Sequence, residues 1–521
     1  MQETIANRHT LRIVTVVLFV LLAVAGLLFS AYLFFISKSI YMYVLASAFL
    51  LLSGVSGFFN IFAAYWYYKA YFYPDYLNGI KRGLKPLEEF PTVAVAVPVY
   101  NETPRTVKRT LSKLMALSYP KDRIRYYLLD DSNVQETVDE LRSYSVEHGI
   151  VYLHRDNRRG YKGGALNDML KVSKEEFIAV FDGDEYLTNK NFLIDLLPYF
   201  QDKKLSYVQT EKRSAKGTFF SDSVDLFNAF FFRFIQTARA LHNTAIFAGS
   251  CGIVKRSALD EIGGFPEYVI EDTFFSFESD EKNFRSLYIP KVYALGRPLA
   301  TFTALVKQQW RYNYGDTQFL QYITKKFRGK RRIKNVTALS SMDYIAHGFG
   351  LNYLSVILIV FTLVSVLIVF SAFMPATITI SRLMNFDLSN ITLILELFGM
   401  IAFILSFFIP VVITKLYFNS VKKGLMIFLL NFALAFVRLK AAIAALLKLD
   451  PRPHWQKARD NRNRSLMNSL YNTRFEITFS SLLFALGYVS VFVSDNVAGG
   501  LWLVWYGALY ALATIFLHKY G

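Results

Sequence analysis

Phe177-Ile178-Ala179-Val180-Phe181-Asp182-Gly183-Asp184-Glu185 is an apolar run that stops abruptly at two carboxylates separated by one glycine. A run this short predicts a buried strand, with the acids projecting from its C-terminal end, where open α/β sheets place ligands. Two carboxylates this close repel each other unless a cation sits between them. A hard divalent ion carrying a substrate diphosphate supplies that charge. Taken alone, Asp-Gly-Asp reads more simply as an exposed turn, so the rest of the chain must decide between a metal site and a turn.

The flanking pattern extends the strand reading. Residues 92–97 predict a first strand leading into Pro98-Val99-Tyr100-Asn101-Glu102, with a helix from Thr103 or Pro104 to Leu117. Residues 126–129 predict a second strand ending at Asp130-Asp131-Ser132. Residues 151–153 predict a third, followed by Arg158-Arg159-Gly160-Tyr161-Lys162-Gly163-Gly164-Ala165-Leu166-Asn167 at a helix start, and 206–208 a fifth after the Asp182 strand. Short apolar runs alternating with amphipathic segments over 91–340 imply a mostly parallel sheet covered by helices. Acids and loop motifs then recur at the ends of successive strands, where they can share one crevice.

The remainder of the chain is of another kind. Of 521 residues, 53% are hydrophobic and 17% aromatic, high for a soluble protein. Residues 13–36, 41–64, 349–373, 391–418, 475–493 and 501–517 each predict a membrane span. The first is too long for the apolar part of a signal peptide and has no cleavage-like region after it, so it is expected to be retained. The net charge of +18 falls mainly beside these segments, which fits loops held on the cytoplasmic side and argues against a nucleic-acid partner. Residues 425–447 are long enough to cross, but Arg438 and Lys440 interrupt them and a basic loop at 450–472 follows. Crossing there would put that loop outside, so the segment is expected to be interfacial or re-entrant. The expected organisation is two spans within 1–70, a cytoplasmic α/β domain at 91–340 and a C-terminal membrane region at 341–521. The single cysteine, Cys251, excludes an internal disulfide, and seven scattered histidines leave no zinc spacing. The basic run from Lys325 to Lys334 reads as a face held at anionic headgroups.

Pro98-Val99-Tyr100-Asn101-Glu102, Asp130-Asp131, Lys162-Gly163-Gly164-Ala165-Leu166-Asn167, Asp182-Gly183-Asp184, Ile270-Glu271-Asp272 and Gln308-Gln309-Trp310-Arg311-Tyr312 together resemble the membrane-integrated family 2 glycosyltransferases. That group includes cellulose, hyaluronan, mannan and poly-N-acetylglucosamine synthases and ceramide glucosyltransferase. The resemblance implies a GT-A type nucleotide-sugar-binding domain inserted between transmembrane helices, in a multi-pass protein of the plasma membrane. It also implies a UDP-sugar donor, Mg²⁺ or Mn²⁺ as cofactor, and a glycan or lipid acceptor.

The resemblance assigns Tyr100, Glu102 and Asp131 to the uridine and places Asp130 with them among the nucleotide-sugar-binding residues, although the first three also suit ordinary turn chemistry. Lys162 with its glycines offers a cation and close backbone N–H groups to a diphosphate. Asp182 serves donor and metal, and Asp184 the metal. Asp272, beside Glu271, is the expected general base, with a helix N-cap as its plainer reading. Gln308, Arg311 and Tyr312 share a helical face, Arg311 neutralising the leaving diphosphate and Tyr312 offering a platform to the acceptor. The family usually has Trp at the place of Tyr312, and Trp310 cannot replace it, being rotated by roughly 200°. Trp455 and Lys457 fall where some members carry a gating loop, but Ala458 stands in place of its threonine. The expected activity is processive, inverting transfer into an exported β-linked polysaccharide. Transfer of one sugar to a membrane lipid is the alternative, followed by an inactive transferase acting as a transporter or scaffold.

Overall fold

The computed structural model describes residues 5–36, 40–328, 335–349, 352–370, 408–449, 466–493 and 497–520. Two long apolar helices, α1 (Ile5–Ile36) and α2 (Ile40–Ala70), pack along each other, and α3 (Tyr73–Gly83) leads from them to the sheet. The main sheet comprises β1 (Val93–Val99), β2 (Ile124–Asp130), β3 (Val151–His154), β4 (Phe177–Val180), β6 (Leu205–Thr210), β8 (Gly252–Lys255) and β9 (Arg285–Ile289), in the order β3-β2-β1-β4-β8-β6-β9. Its pairs are parallel except where β8 runs antiparallel between β4 and β6. A small second sheet joins β5 (Tyr186–Leu187), β10 (Ala294–Gly296) and β7 (Arg213–Ser214). Between the strands run α4 (Pro104–Leu114), α5 (Gln135–Glu147), α6 (Tyr161–Val172), α7 (Phe192–Leu196), α8 (Phe219–Phe230), α9 (Thr237–Ala240), α10 (Arg256–Ile262) and α11 (Glu271–Glu281). They are followed by α12 (Phe302–Arg328), α13 (Ala338–Phe349) and α14 (Asn352–Phe370).

The alternation in β1 explains how the layers fit. Val93, Val95 and Val97 pack against Val107, Leu111 and Leu114 of α4, whereas Ala94 and Ala96 meet Ala165, Leu166 and Met169 of α6. Period-two alternation sends the two sets to opposite faces. The small residues on the second face let α6 approach closely, and both layers exclude water from a strand buried on each side. The five strands expected from the sequence are present with slightly longer bounds. β8 and β9 were not anticipated. Gly252-Ile253-Val254-Lys255 has only two strongly apolar residues, and its strand state comes from being enclosed by β4 and β6.

Three helical stretches among the described residues are long and apolar enough to cross a membrane: Ala46–Ala70, Arg474–Phe492 and Gly499–Tyr520. The described residues thus hold three candidates, or four if the bent pair below is one span, against the six expected. The expected spans at 13–36 and 349–373 are represented by shorter apolar stretches, Ile13–Leu28 and Ser355–Leu367. Residues 391–407 of another lie outside the described residues, as do 371–373, the 450–465 part of the basic loop, and Lys330, Arg331, Arg332 and Lys334. The segment 425–447 is not one helix. Val421–Ala433 and Ala435–Leu446 meet at a 45° bend and together have the apolar character of a broken span or a re-entrant loop. Arg438 is 1% exposed and donates to Gln309 Oε1 at 3.0 Å and Asn431 Oδ1 at 3.1 Å. Lys440 pairs with Glu476 at 3.2 Å. The two charges that made the segment look unfit for burial are therefore satisfied inside the helix packing.

Candidate active site

The ends of β1 and β2 form the first wall. Asn101, held at φ 57°, receives Ser132 as acceptor of its N–H at 2.9 Å and accepts the Asn133 N–H at 3.1 Å, so the two loops are stitched together. The Glu102 carboxylate accepts the Tyr100 N–H. The Arg158 guanidinium lies 3.4 Å from the centroid of the Tyr100 ring, a cation–π contact, and burial lowers its pKa. Asp131 takes a two-pronged bond from Arg155, at 2.7 and 2.6 Å. Asp130 departs from the expected role. It is fully buried, accepts the Ser132 N–H at 2.8 Å and the Tyr152 hydroxyl at 2.6 Å, and is absent from the cavity wall that Tyr100, Glu102 and Asp131 share.

At the end of β4, Lys162 binds Asp182 Oδ1 at 2.5 Å while Lys212 lies 3.2 Å from Asp182 Oδ2. Ser250 donates to Asp182 Oδ2 at 3.0 Å and to Glu185 Oε1 at 2.8 Å. Burial alone would raise the Asp182 pKa, but the two lysines outweigh it and hold the carboxyl well below its usual range. Asp184 has the opposite balance: burial, then Asp182 and Glu185, push it up to about 6. No ion pair joins it to a described residue. Lys212 was missed in the sequence. It follows β6 as Asp182 follows β4, and the strand-end rule that found the acids also covers it.

Gly249 marks where the other half of the site converges. A Cβ there would stand 3.1 Å from Asp272 Oδ2, 3.6 Å from Glu271 Oε1 and 3.7 Å from Lys162 Nζ. Glu271 and Asp272 open α11, and the Thr273 N–H donates to Asp272 Oδ1 at 2.8 Å. Burial and then Asp272 push Glu271 up to about 7, and burial also raises Asp272. On α12, Arg311 lies 5.2 Å from the Tyr312 ring centroid, and Tyr312 is 37% exposed toward the cavity. Gln308 Oε1 is buried with no partner among the described residues. Trp310 turns away and packs with Val269, Tyr314 and Ala441. Trp455 and Lys457 lie outside the described residues.

One cavity of about 1130 Å³ is lined by Tyr100, Glu102, Asp131, Lys162, Asp182, Asp184, Lys212, Glu271, Asp272, Gln308, Arg311 and Tyr312, and continues between α1, α2 and the helices Ile409–Phe418 and Val421–Ala433. The π-helical turn Phe231–Gln236 contributes Phe231, Phe232 and Phe234 to its wall, an irregularity that recurs at functional sites. Around Asp182, Asp184, Glu185, Glu271 and Asp272 stand three cations, Lys162, Lys212 and Arg311. The excess is negative, as a divalent ion would offset. Among the described residues no cluster of three or more His, Cys, Asp or Glu makes a ready-built metal cage. That donor set suits an ion held by one or two carboxylates with substrate phosphates completing it, and Asp182 and Asp184 fit that requirement.

Residues 94–263 match the family described as "Glycosyl transferase family 2". Over 241 residues the chain is 32% identical to a cellulose synthase catalytic subunit [UDP-forming] of Pseudomonas fluorescens (strain SBW25), covering 45% of this chain and 32% of that protein. Over 244 residues it is 30% identical to a probable glucomannan 4-beta-mannosyltransferase 4 of Oryza sativa subsp. japonica, covering 43% of each. The chain thus spans less than half the length of these curated relatives. Among solved structures it is similar to the mannosyltransferase PcManGT from Pyrobaculum calidifontis in complex with GDP-Man and Mn2+, at TM-score 0.43 and 18% identity over 69% of this chain and 99% of that one.

Proposed function

On the footing that the chain carries a family 2 glycosyltransferase domain at residues 94–263, we propose that it transfers a sugar from a UDP-sugar to a growing β-linked polysaccharide, with inversion, and exports the product between its own helices. The observation that carries this is the single cavity that holds Asp182, Asp184, Asp272 and Arg311 at one end and runs between apolar helices at the other. Relatives named for cellulose and glucomannan synthesis support a β-linked hexose product. Six spans with the catalytic domain on the cytoplasmic side complete this reading.

Asp182 and Asp184 would hold Mg²⁺ or Mn²⁺, which supplies charge neutralisation to the donor diphosphate. Tyr100, Glu102 and Asp131 hold the nucleoside, and Lys162, Lys212 and Arg311 oppose the charge left on the departing diphosphate. Asp272 takes the proton from the acceptor hydroxyl as its oxygen bonds to C1 and the C1–O bond to phosphate breaks. UDP leaves from the opposite face, so an α-linked donor gives a β-linked product. Glu271, raised to about 7, keeps the local charge near the base adjustable, and Tyr312 seats the acceptor ring.

Purified protein supplied with Mn²⁺ or Mg²⁺ and a panel of UDP-sugars should release UDP and accumulate polymer. Asp272→Asn should bind UDP normally and lose about 10²–10⁴-fold in rate, and full activity in that variant refutes the assignment of the base. The second reading, one sugar onto a lipid, is favoured by the apolar wall formed by Phe19, Leu22 and Phe59, which suits an acyl chain as well as a glycan. Mass analysis separates them: a single-sugar glycolipid without polymer rejects processivity.

A further inference from the structure

One acid on the cavity wall has no part in the transfer as described. Asp316 lies four residues beyond Tyr312 on α12, and that spacing puts both on the face that lines the cavity. Gly315 is where α12 presses on the approach to α11, since a Cβ there would stand 2.6 Å from Ile270 Cγ2. Ile270 immediately precedes Glu271 and Asp272, so this contact sets Asp316 across from the proposed base. Burial and then the charge of Asp272 raise the Asp316 pKa well above its ordinary value, with no cation among the causes to counter them. Both influences favour the protonated carboxyl, which donates as well as accepts.

Asp316 is half-buried on the cavity wall and makes no hydrogen bond to a described residue, so its carboxyl is open to an outside partner. The charge of Asp272 repels an anionic sugar, and a protonated carboxyl at Asp316 complements a neutral hydroxyl or ring oxygen. We propose that Asp316 is a binding residue for the acceptor, donating a hydrogen bond to an oxygen of an uncharged sugar seated on Tyr312 and holding its attacking hydroxyl toward Asp272. This rests on the transferase reading above and specifies its acceptor end.

The test uses the full chain in detergent, radiolabelled UDP-sugar and the partition of label between product and free hexose released by water. Equilibrium binding of UDP is measured alongside. Asp316→Leu should shift the partition toward free hexose by about tenfold, the loss of one hydrogen bond, with UDP affinity within about twofold. Asp316→Asn, which still donates, should stay close to wild type. An unshifted partition in Asp316→Leu overturns the assignment, and so does equal damage in Asp316→Asn, because the acid would then be acting as an anion. If Asp316→Leu does not fold, Asp316→Ser decides: its hydroxyl is too short to reach, so wild-type partition refutes the proposal. Wild-type protein that neither binds UDP nor consumes any UDP-sugar overturns the transferase reading, and this assignment with it.

Discussion

Gly163→Ala tests what the glycines after Lys162 are for. In the sequence they suggest a backbone bared to a diphosphate. In the structure a Cβ on Gly163 would stand 2.5 Å from the Pro266 carbonyl oxygen and 3.2 Å from Glu271 Cβ. The first neighbour is backbone and cannot rotate away, so the loop must retreat by roughly 0.9 Å to reach ordinary contact at 3.4 Å. Overpacking of this kind costs about 1–3 kcal/mol, partly offset by about 1 kcal/mol from replacing a helical glycine with alanine. Folding should therefore survive. The loop leads directly to Glu271 and Asp272, and a displacement near 1 Å at the reacting groups lowers rate by about 10²-fold, or about 2.7 kcal/mol of transition-state stabilisation. The assay is steady-state UDP release with donor concentration varied, together with direct UDP binding. Maximal rate should fall about 100-fold while UDP affinity stays within about threefold. The opposite result, weakened UDP binding with an unchanged maximal rate, would return these glycines to the diphosphate and refute the reasoning.

Three further outcomes follow from the charges. Asp184→Asn should remove most of the benefit that Mn²⁺ gives to donor binding, about tenfold in affinity or more, and match wild type in chelator; unaltered metal dependence in calorimetry argues against Asp184 as a ligand. The rate should rise with pH and level off above about 7, because Glu271 is held up to about 7 and Asp272 is raised beside it. Below that point the pair takes up a proton and the rate falls about tenfold per pH unit, and Glu271→Gln should move the limb downward; a flat profile between about pH 5.5 and 7.5 contradicts this. Lys212→Met leaves Glu185 without the ion pair it makes at 3.2 Å and Asp182 with Lys162 alone. At 24% side-chain exposure for the lysine, about 3 kcal/mol is expected, a fall of roughly 6–12 °C in the unfolding midpoint. Combination with Glu185→Gln should be far from additive, and additive midpoints would show that the pair is not coupled.

The strands that organise the domain were legible because β1 and β4 are buried on both faces and therefore read as continuous apolar runs. The acids at their ends were legible for the same reason, since an apolar run that stops at a carboxylate fixes where the carboxylate emerges. β8 was not legible: it is four residues long, ends in Lys255 and owes its conformation to neighbours on both sides. Lys212 and Asp316 were missed for a related reason. A lysine after a strand and an aspartate on a helix both look like solvated charges until tertiary structure supplies the cavity they line. Asp130 differs from Asp131 in a way its pattern does not reveal, because Tyr152 and the Ser132 N–H use its oxygens.

Arg438 shows most directly what a one-dimensional reading lacks. Hydropathy counts it as a charge to be kept out of an apolar environment, and that count led to an interfacial or re-entrant segment for 425–447. Its partner, Gln309, lies 129 residues earlier, in the helix that carries Gln308, Arg311 and Tyr312. With guanidinium donors directed at Gln309 and Asn431, the residue is no longer an unpaired cation but a tie between the bent helix pair and α12. The same tie places the proposed leaving-group and acceptor residues relative to the helices along which the product would pass. A change in the packing of the bent pair therefore bears directly on Arg311, Tyr312 and Asp316, so the charge that looked like a defect in a membrane segment couples that segment to the site.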